Sequence, residues 1–486
     1  QSVSLELFQD RFGEIPGGIP RTVVPAACDA WLTALERYGT MTFGQVVNPA
    51  LELADGGFPV SHRLARSISG SESKISESSE SSAVWMPNGR PPSPGDILAR
   101  DGLARVFRMM IDVENSSKAV GREEAIIAAR NLFYQGDIAE RMVRHCNENG
   151  GFLTMDDFNR FQVKIEPPEV SSYKKYEVYT CGSWCQGPSL LQTLNILEDT
   201  ELVKMGHNSA RYLHTIISAI DLAFSDREAY YGDPEFVDVP IDELLSKGYA
   251  AERRALIDDG EAWNEMPPAG SLGKLATEGK AATRSAGADV WESDTSYTCV
   301  VDRWGNAFSA TPSDGEVGFP LVPGLGIGIS TRGSQSWLDP CHPSSLAPWK
   351  RPRLTPNPAM VLKDGALFMP FGTPGGDAQV QAMVQTFLNI VEFDMDPQRA
   401  IEQPRAISQN FPNSFWPHRY RPGQVNVEGR IPAEVMDDLE SVGHKVTRDA
   451  AWTSAAGGVC AVVVDRERGG LVGGADPRRE SYAIGF

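Results

Sequence analysis

The segment from about residue 260 to residue 293 divides the chain into two parts with different sequence patterns. Its sequence, GEAWNEMPPAGSLGKLATEGKAATRSAGADVWES, is rich in Gly, Ala, Ser and Pro and lacks sustained hydrophobic periodicity, which is typical of a flexible linker. The residues before it show mainly helical patterns, and the residues after it show mainly strand patterns. This order favours an α+β or layered fold over a doubly wound nucleotide-binding fold.

The first part contains several amphipathic patterns that predict helices. Two of them end at Gly39 and Gly56, several more run together from about 96 to 150, and a long one spans roughly Asn208 to Tyr230. Residues 67 to 82, SISGSESKISESSESS, are different because they are almost entirely Ser and Glu. Such low complexity predicts a solvated loop or lid.

Strand patterns become frequent after the linker. The segments TSYTCVVD and NAFSATPS flank the turn Arg303-Trp304-Gly305 and predict a β-hairpin. The segment AQVQAMVQTFLNIVEF predicts a later helix, and KKYEVYTC predicts a short strand before the linker. The last three strand patterns, KVTRDA, GVCAVVVDRE and GLVGGADP, predict a closing meander.

The charge balance excludes some functions. The chain has 486 residues, with 45 Lys and Arg against 64 Asp and Glu, and a formal net charge of −19. This strong negative charge argues against binding to nucleic acid or to an anionic membrane surface. No apolar run approaches the roughly 18 residues of a membrane-spanning helix, and no secretory signal is visible, so we expect a cytoplasmic protein. The alternative is a periplasmic or secreted protein whose signal was removed before residue 1.

The common catalytic and ligand-binding motifs are missing from the sequence. There is no phosphate-binding GxxxxGK[ST] loop, no HExxH and no GxSxG elbow, and the seven histidines show no metal-ligand spacing. We therefore expect neither a metal nor an organic cofactor. Cys181 and Cys185 in TCGSWCQG are interpreted as packing or loop residues, with a reactive thiol as the weaker alternative.

The predicted hairpin brings two hydroxyl groups together. If Asp302 faces Asn306 across the turn, equal steps along the two strands place Ser313 opposite Thr295, and opposed Cβ atoms lie about 5 Å apart. A hydroxyl at the start of a strand, directly after a cleavable linker, is what an N-terminal nucleophile hydrolase requires. In such an enzyme the chain is cut before Thr or Ser, and the freed α-amino group serves as the base. The alternative is an ordinary amphipathic hairpin that follows a linker.

Several longer segments carry a resemblance to a known family. They include DTSYTCVVDRWGNAFSATPS at the hairpin, KRPRLTPNPAMVLKDG, FGTPGGDAQV, the upstream FSDREAYYGDP and the closing GGADPRRESYAIG. Together they resemble the γ-glutamyltransferase family of N-terminal nucleophile hydrolases, and the resemblance covers nearly the whole chain.

The resemblance implies a role for each matching residue. Thr295 is implied as the nucleophile, both for self-cleavage of the Asp294–Thr295 bond and for attack on substrate. Ser313 is implied to hydrogen-bond the nucleophile, and the backbone amides of Gly375 and Gly376 are implied to form the oxyanion hole. The implied fold is a four-layer αββα sandwich.

The same resemblance implies two subunits that remain together as a heterodimer. Residues 1–294 would form the large subunit, ending in the linker at about 260–293, and residues 295–486 would form the small catalytic subunit.

The sequence departs from the family where the substrate's amino-acid group is held. In STRGSQSW, Ser336 stands where family members carry an acidic residue for the substrate's α-ammonium group. Leu354 and Thr355 stand at a pair of serines that hold the α-carboxylate, and Gly315 stands at an asparagine. A buried α-ammonium group would therefore lack its partner, which is costly.

Other polar residues occupy the same neighbourhood. Arg332, Gln335, Ser336, Trp337, Arg353 and Thr355 are candidate substrate-binding residues. They predict a pocket for an acyl group that carries a carboxylate but no amine, with an arginine as the bidentate partner. The alternative is that the two arginines are surface charges and Trp337 is a core residue.

These observations lead to one main hypothesis and two alternatives. The main hypothesis is a self-cleaving amidohydrolase that acts on a small-molecule amide through a threonyl acyl-enzyme. The first alternative is a true γ-glutamyltransferase or glutathione hydrolase. The second is an inactive relative that serves as a scaffold or binding protein.

Overall fold

The structure, a computed structural model, describes residues 3–272, 294–315 and 317–486. It separates into two units, one made of Gln1–Ile165 with Asp314–Ser334 and the other of Glu166–Ser313 with Gln335–Phe486. This division follows packing, whereas the predicted subunit boundary is a peptide bond to be cleaved. The two-subunit organisation therefore stays a prediction. Most of the expected linker, residues 273–293, lies outside the described residues.

The first unit is largely helical. Its helices are α1 Leu5–Arg11, α2 Ala27–Tyr38, α3 Phe43–Gly56, α4 His62–Gly70, α5 Glu72–Ser76, α6 Ser79–Trp85, α7 Asp101–Ser116, α8 Arg122–Gln135, α9 Asp137–Glu148 and α10 Met155–Arg160. Two short strands, β1 Phe58–Pro59 and β2 Ile97–Leu98, pair antiparallel. The helices predicted to end near Gly39 and Gly56, and those predicted between 96 and 150, are confirmed.

The predicted loop over residues 67–82 is wrong, because this stretch contains the end of α4, all of α5 and the start of α6. Ile68 and Ile75 are fully buried and anchor these short helices against the rest of the unit. Ser78 caps α6, since the backbone N–H of Ser81 donates to its hydroxyl over 3.2 Å. The Ser-rich composition thus supplies a helix cap, and a few isolated apolar residues supply the packing.

The second unit contains the remaining elements. Its strands are β3 Glu169–Tyr173, β4 Tyr176–Thr180, β5 Asp294–Thr295, β6 Thr298–Val301, β7 Ala307–Ala310, β8 Ser313–Asp314, β9 Ala359–Lys363, β10 Ala366–Gly372, β11 Ala406–Ser408, β12 Gln424–Glu428, β13 Lys445–Asp449, β14 Cys460–Asp465 and β15 Gly470–Ala475. Its helices are α11 Gly187–Leu197, α12 Leu202–Met205, α13 Ala210–Tyr230, α14 Ile241–Leu244, α15 Lys247–Arg254, α16 Ala378–Val391, α17 Pro397–Glu402 and α18 Ala433–Ser441. The second residue of β8, Asp314, begins the segment that belongs to the first unit.

A six-stranded antiparallel sheet in the order β15-β14-β10-β9-β4-β3 organises the second unit. Helices α11 and α16 pack on one face, where Phe371 of β10 contacts Phe387 of α16. The hairpin β6–β7 lies against β10 and β14, and the Tyr297 ring occupies the space where Gly372 would carry a Cβ. Because successive strand residues point to opposite faces, the hairpin lies on the face opposite the helices. Strands from before and after the linker thus share one sheet.

The predicted closing meander is wrong in one strand. β14 and β15 pair antiparallel at the edge of the large sheet, but β13 pairs parallel with β12 in a separate sheet of order β11-β12-β13. Helix α18 connects β12 to β13, and a parallel pair needs such a crossover. The other predicted strand and helices of this unit, β4, α13 and α16, are confirmed. No helix among the described residues is long and apolar enough to span a membrane.

Candidate active site

The hairpin has the register that the sequence predicts. Val300 faces Phe308, Val301 faces Ala307, and the N–H of Asp302 donates to the carbonyl of Asn306 over 3.0 Å. The same register continues beyond the hairpin to Thr295 on β5. Thr295 Oγ1 lies 2.6 Å from Ser313 Oγ, close enough for a hydrogen bond.

The Thr295 side chain is well enclosed at the end of β5. It is only 5% exposed, and the neighbouring backbone is fixed because Ser296 N–H donates to the Pro312 carbonyl over 2.9 Å. Two residues further on, the hydroxyl of Tyr297 lies 2.8 Å from Ser309 Oγ. Since the Tyr297 ring also covers Gly372, this segment is held beside the end of β10.

The chain leaves β10 through a turn that requires glycine. Gly375 has φ +136° and Gly376 has φ +57°, backbone conformations that residues with a Cβ rarely adopt. A Cβ on Gly375 would also lie 3.3 Å from the Cα of Gly457. Helix α16 begins directly afterwards, and unpaired N–H groups at a helix start favour negative charge. We refer to Gly375 and Gly376 as the glycine turn.

A group of buried charges lies around Arg227, which we call the charged network: Arg227, Glu228, His342, Arg353 and Asp377. Arg227 pairs with Asp377 at 2.5 Å and with Glu228 at 2.7 Å, and Arg353 pairs with Glu228 at 2.7 Å. The His342 ring lies 3.3 Å from the same Glu228 carboxylate. Burial raises the pKa of Glu228, but Arg353 and Arg227 lower it by more, so that pKa lies well below its usual value.

Trp337 is stacked between two histidine rings. Its ring centroid lies 4.0 Å from that of His342 and 3.8 Å from that of His418, and both pairs are nearly parallel. His418 Nε2 lies 3.0 Å from the Ser336 carbonyl, which fixes the chain beside Trp337. Burial lowers the pKa of His342 to about 4 and that of His418 to about 4, so both rings are neutral at pH 7.

Three of the predicted substrate-binding residues have buried polar atoms without a hydrogen-bond partner among the described residues. The residues are Gln335, Thr355 and Trp337, which we call the pocket residues. The atoms without a partner are Oε1 and Nε2 of Gln335, Oγ1 of Thr355 and Nε1 of Trp337. Gln335 is 1% exposed and Thr355 is 0% exposed. Because buried polar groups normally find partners, these atoms point to a ligand or to water.

The two predicted arginines are not surface charges, so that part of the alternative is wrong. Arg353 is 2% exposed, and its Nη1 and Nη2 donate to the Arg227 carbonyl and to Glu228. Arg332 is 4% exposed but belongs to the first unit, where its Nε lies 3.9 Å from Asp314 Oδ1. Ser336, like Gln335, is buried in the second unit.

The sequence reasoning missed the charged network and Gln186, which precedes α11. The Asp-Arg-Glu triplet at 226–228 places three consecutive charged residues within a predicted helix, and this was the available signal. Among the described residues, no cluster of His, Cys, Asp and Glu could hold a metal. Cys185 is fully buried, and burial raises the pKa of its thiol, in keeping with a packing role. Cys181 is half-buried, and a hydrogen bond with Cys185 lowers the pKa of its thiol, so for Cys181 both interpretations stay open.

Comparison with known proteins identifies the class of enzyme. The family model Gamma-glutamyltranspeptidase matches residues 2–486, so the chain belongs to that family. It is 32% identical to the glutathione hydrolase-like YwrD proenzyme of Bacillus subtilis (strain 168), over 95% of this chain and 80% of that protein. It is 29% identical to the acylase ACY 1 proenzyme of Pseudomonas sp. (strain SE83), over 96% of this chain and 75% of that protein.

Solved structures agree with this assignment. LmbA2991HD matches with a TM-score of 0.91 and 34% identity, covering 99% of this chain and 85% of that one. The cephalosporin acylase from Bacillus halodurans matches with a TM-score of 0.82 and 27% identity, covering 98% and 81%. The fold is therefore the mixed helix and sheet fold of these N-terminal nucleophile hydrolases. The chain is an enzyme of this family, whose members are hydrolases and acyltransferases of amide bonds with an N-terminal threonine nucleophile.

Proposed function

We propose that this protein is a self-cleaving amidohydrolase in which Thr295 is the nucleophile. The observation that carries the proposal is the 2.6 Å distance between Ser313 Oγ on β8 and Thr295 Oγ1 on β5, two residues before Tyr297, whose ring covers Gly372 at the end of β10. A serine hydroxyl at that distance orients the threonine hydroxyl and stabilises charge that develops on its oxygen. The alignment with proenzymes over nearly the whole chain supports self-cleavage.

The first step is cleavage of the chain itself. Thr295 Oγ1 attacks the carbonyl carbon of Asp294, the C–N bond breaks, and the proton of the hydroxyl passes to the departing nitrogen. This step frees the α-amino group of Thr295 and leaves Asp294 as an ester on Thr295 Oγ1. Water then hydrolyses the ester, which frees the carboxyl group of Asp294 and restores the hydroxyl of Thr295. The products are residues 1–294 and 295–486, which we propose stay together as a heterodimer because β3 and β4 lie in the same sheet as β9 and β10.

The second step is turnover of an external amide. The free α-amino group accepts the proton of Thr295 Oγ1 as the oxygen attacks the amide carbonyl, and it returns the proton to the departing amine. The backbone N–H groups of Gly375 and Gly376 stabilise the oxyanion, and one such donor is worth about 10²–10³ in rate. Water then enters with the same base and releases the acid.

The pocket residues favour a substrate whose acyl group carries a carboxylate and no α-amine. The sequence has no carboxylate at Ser336 or elsewhere from residue 317 to residue 338, so an ammonium group would lack a partner on this segment. Gln335 Nε2, Thr355 Oγ1 and Trp337 Nε1 are neutral donors suited to a carboxylate. Both terminal nitrogens of Arg353 donate hydrogen bonds within the protein, so we propose that Arg353 stabilises the pocket without contacting the substrate. A substrate contact for Arg332 stays a prediction.

We also propose that the complete fold is the four-layer αββα sandwich. The support lies in the second unit, where a helical layer of α11 and α16, the six-stranded sheet and the hairpin layer follow one another.

Turnover of two anilides tests the proposed function. The wild-type protein should release p-nitroaniline from glutaryl-p-nitroanilide with a kcat/KM at least about tenfold higher than from γ-glutamyl-p-nitroanilide, because only the second substrate buries an unpaired ammonium group. The Thr295→Ala variant should release none. A preference for the γ-glutamyl substrate, stimulated by glycylglycine, would instead establish a true γ-glutamyltransferase. Failure of both substrates, together with no covalent adduct from an acylating inhibitor, would establish a scaffold protein.

A further inference from the structure

Gln186 connects two parts of the proposed active site. Its Nε2 donates to the carbonyl of Thr355 over 2.8 Å and to the carbonyl of Gly376 over 2.9 Å. Gln186 is 1% exposed and precedes the first residue of α11, so its backbone is anchored to a helix of the core. One side-chain amide therefore holds both the glycine turn and a pocket residue.

The charged network holds Gln186 in place from the other side. Arg227 Nη1 donates to Gln186 Oε1 over 3.1 Å and to Asp377 Oδ1 over 2.5 Å. Asp377 directly follows the glycine turn, and its carboxylate also accepts hydrogen bonds from Ser414 N–H over 2.7 Å and from Ser414 Oγ over 2.6 Å. Every hydrogen-bonding group of the Gln186 side chain thus has a partner, which fixes its orientation.

Glycine makes this support necessary. A residue without a Cβ has many accessible backbone conformations, whereas oxyanion donors must point at one position, where the charge develops. The hydrogen bond to the Gly376 carbonyl fixes the peptide plane after Gly376, and the Arg227–Asp377 pair fixes the residue that follows. They add to the backbone hydrogen bonds that Ala378 N–H and Gln379 N–H donate to the Gly375 and Gly376 carbonyls over 3.1 Å and 3.2 Å, and together these bonds favour one conformation of the turn.

We propose that Gln186, backed by Arg227 and Asp377, is a positioning residue that couples the oxyanion donors of the glycine turn to the acyl pocket at Thr355. This inference rests on the proposed function, because it assumes that the Gly375 and Gly376 amides serve an acyl transfer. In this proposal Gln186 acts through the glycine turn and Thr355, and its side chain contacts neither the nucleophile nor the substrate.

Two variants separate the two connections that Gln186 makes. Gln186→Leu loses the bonds to both Gly376 and Thr355, so kcat for glutaryl-p-nitroanilide should fall about 10-fold to 100-fold and KM should rise several-fold. Asp377→Asn disturbs the turn but leaves the bond to Thr355, so kcat should fall by about 10-fold with KM unchanged. A general loss of structure does not produce this difference between the two variants.

Gln192, on the helix that Gln186 precedes, provides a matched control. It is a buried glutamine whose amide bonds to Asp226 over 3.0 Å and to the Tyr231 hydroxyl, away from the glycine turn. Gln192→Leu should lower the melting temperature about as much as Gln186→Leu while leaving kcat and KM close to wild type. Equal losses of kcat in the two leucine variants would overturn the proposal.

Hydrogen exchange gives a second measurement that does not depend on turnover. In Gln186→Leu and Asp377→Asn, the backbone amides of residues 372–380, except Pro374, which has none, should exchange at least tenfold faster than in wild type, with no such change in Gln192→Leu. If wild type cleaves neither anilide, the proposed function fails, and exchange alone decides whether Gln186 positions the turn. Unchanged exchange in both turn variants would overturn the positioning role even if the enzyme is active.

Discussion

The charged network and the pocket residues differ in whether the protein satisfies their hydrogen bonds. Both groups lie in the second unit and have buried polar atoms. In the charged network, Glu228 is paired with both Arg227 and Arg353, and Asp377 is paired with Arg227. In the pocket, atoms of Gln335, Thr355 and Trp337 have no partner among the residues that the structure describes. A buried group with its partners in place supports the structure, whereas a buried group without one costs stability unless a ligand pairs with it.

This difference reassigns the residues that the sequence places together. From the sequence, Arg353 is a candidate to bind the substrate's carboxylate, but its pairing with Glu228 makes it a support. Gln335 and Thr355 are less conspicuous in sequence, yet their unsatisfied atoms make them the better candidates for contact with substrate. The following predictions test the distinction, beginning with the largest expected effect.

The charged network should be sensitive to loss of its central carboxylate. Glu228→Gln removes the negative charge that pairs with Arg353 and Arg227, and breaking a buried pair in this way costs about 3–5 kcal/mol. Chemical denaturation should show a correspondingly lower free energy of unfolding. The exposed Arg211–Asp259 pair supplies the control, since Asp259→Asn should cost less than about 1 kcal/mol. If Glu228→Gln is as stable as wild type, the network is not a structural support.

The pocket should respond in the opposite way. Gln335→Leu removes two unsatisfied polar atoms, so the free energy of unfolding should stay unchanged or rise by about 1 kcal/mol. The same change removes a donor to the substrate, and kcat/KM for glutaryl-p-nitroanilide should fall about 10-fold to 100-fold, equivalent to about 1.4–2.7 kcal/mol. Thermal unfolding and steady-state kinetics on one preparation measure both. A large loss of stability with normal activity would place Gln335 with the structural residues.

Acid should weaken the charged network through His342. Burial lowers its pKa to about 4 from the model-peptide value of about 6.5, so the unfolded chain binds more protons between these two pH values. The contribution of His342 to stability is therefore complete above about pH 6.5 and is lost as the pH falls to about 4. Between pH 6.5 and pH 5 the loss should be on the order of 1–2 kcal/mol.

A non-titrating variant isolates this contribution. The melting temperature of His342→Gln should fall less than that of wild type when the pH is lowered from 7 to 5, because glutamine takes up no proton. If the melting temperatures of the two proteins fall by the same amount between pH 7 and pH 5, His342 does not titrate with the predicted shift.

The smallest expected effect concerns one hydroxyl in the pocket. Thr355→Val keeps the shape of the side chain and removes an unpartnered Oγ1, so stability should change by less than about 1 kcal/mol. KM for glutaryl-p-nitroanilide should rise by about three- to tenfold if the hydroxyl donates to the acyl group. The valine variant retains the backbone carbonyl that Gln186 holds, so kcat should be unaffected. A fall in kcat without a change in KM would place Thr355 in the support of the glycine turn.

The sequence predicts the hairpin and its register well because both depend on local geometry. A short turn at Trp304 fixes the pairing of both strands, and the pairing fixes which residues face each other as far as Thr295 and Ser313. Long amphipathic helices such as α13 are predictable for the same reason. The role of the glycine turn rests on the resemblance to the family, since its positive φ angles leave no periodic signal.

The rest depends on contacts between distant parts of the chain. The charged network unites residues of α13, the segment after Trp337, and the start of α16, and no local pattern predicts that they meet. Composition alone gives the wrong prediction for residues 67–82, because the burial of two isoleucines stabilises helices in a segment rich in Ser and Glu. The parallel pairing of β13 with β12 was not predicted, because α18 separates the two strands in the sequence.

The central claim is that Thr295 becomes an N-terminal nucleophile, and the intact mass of the purified protein under denaturing conditions tests it most directly. We predict two species, one ending at Asp294 and one running from Thr295 to Phe486, and a single uncut chain for Thr295→Ala. A wild-type chain that stays uncut on long incubation, or one that is cut at a different bond, would contradict the claim.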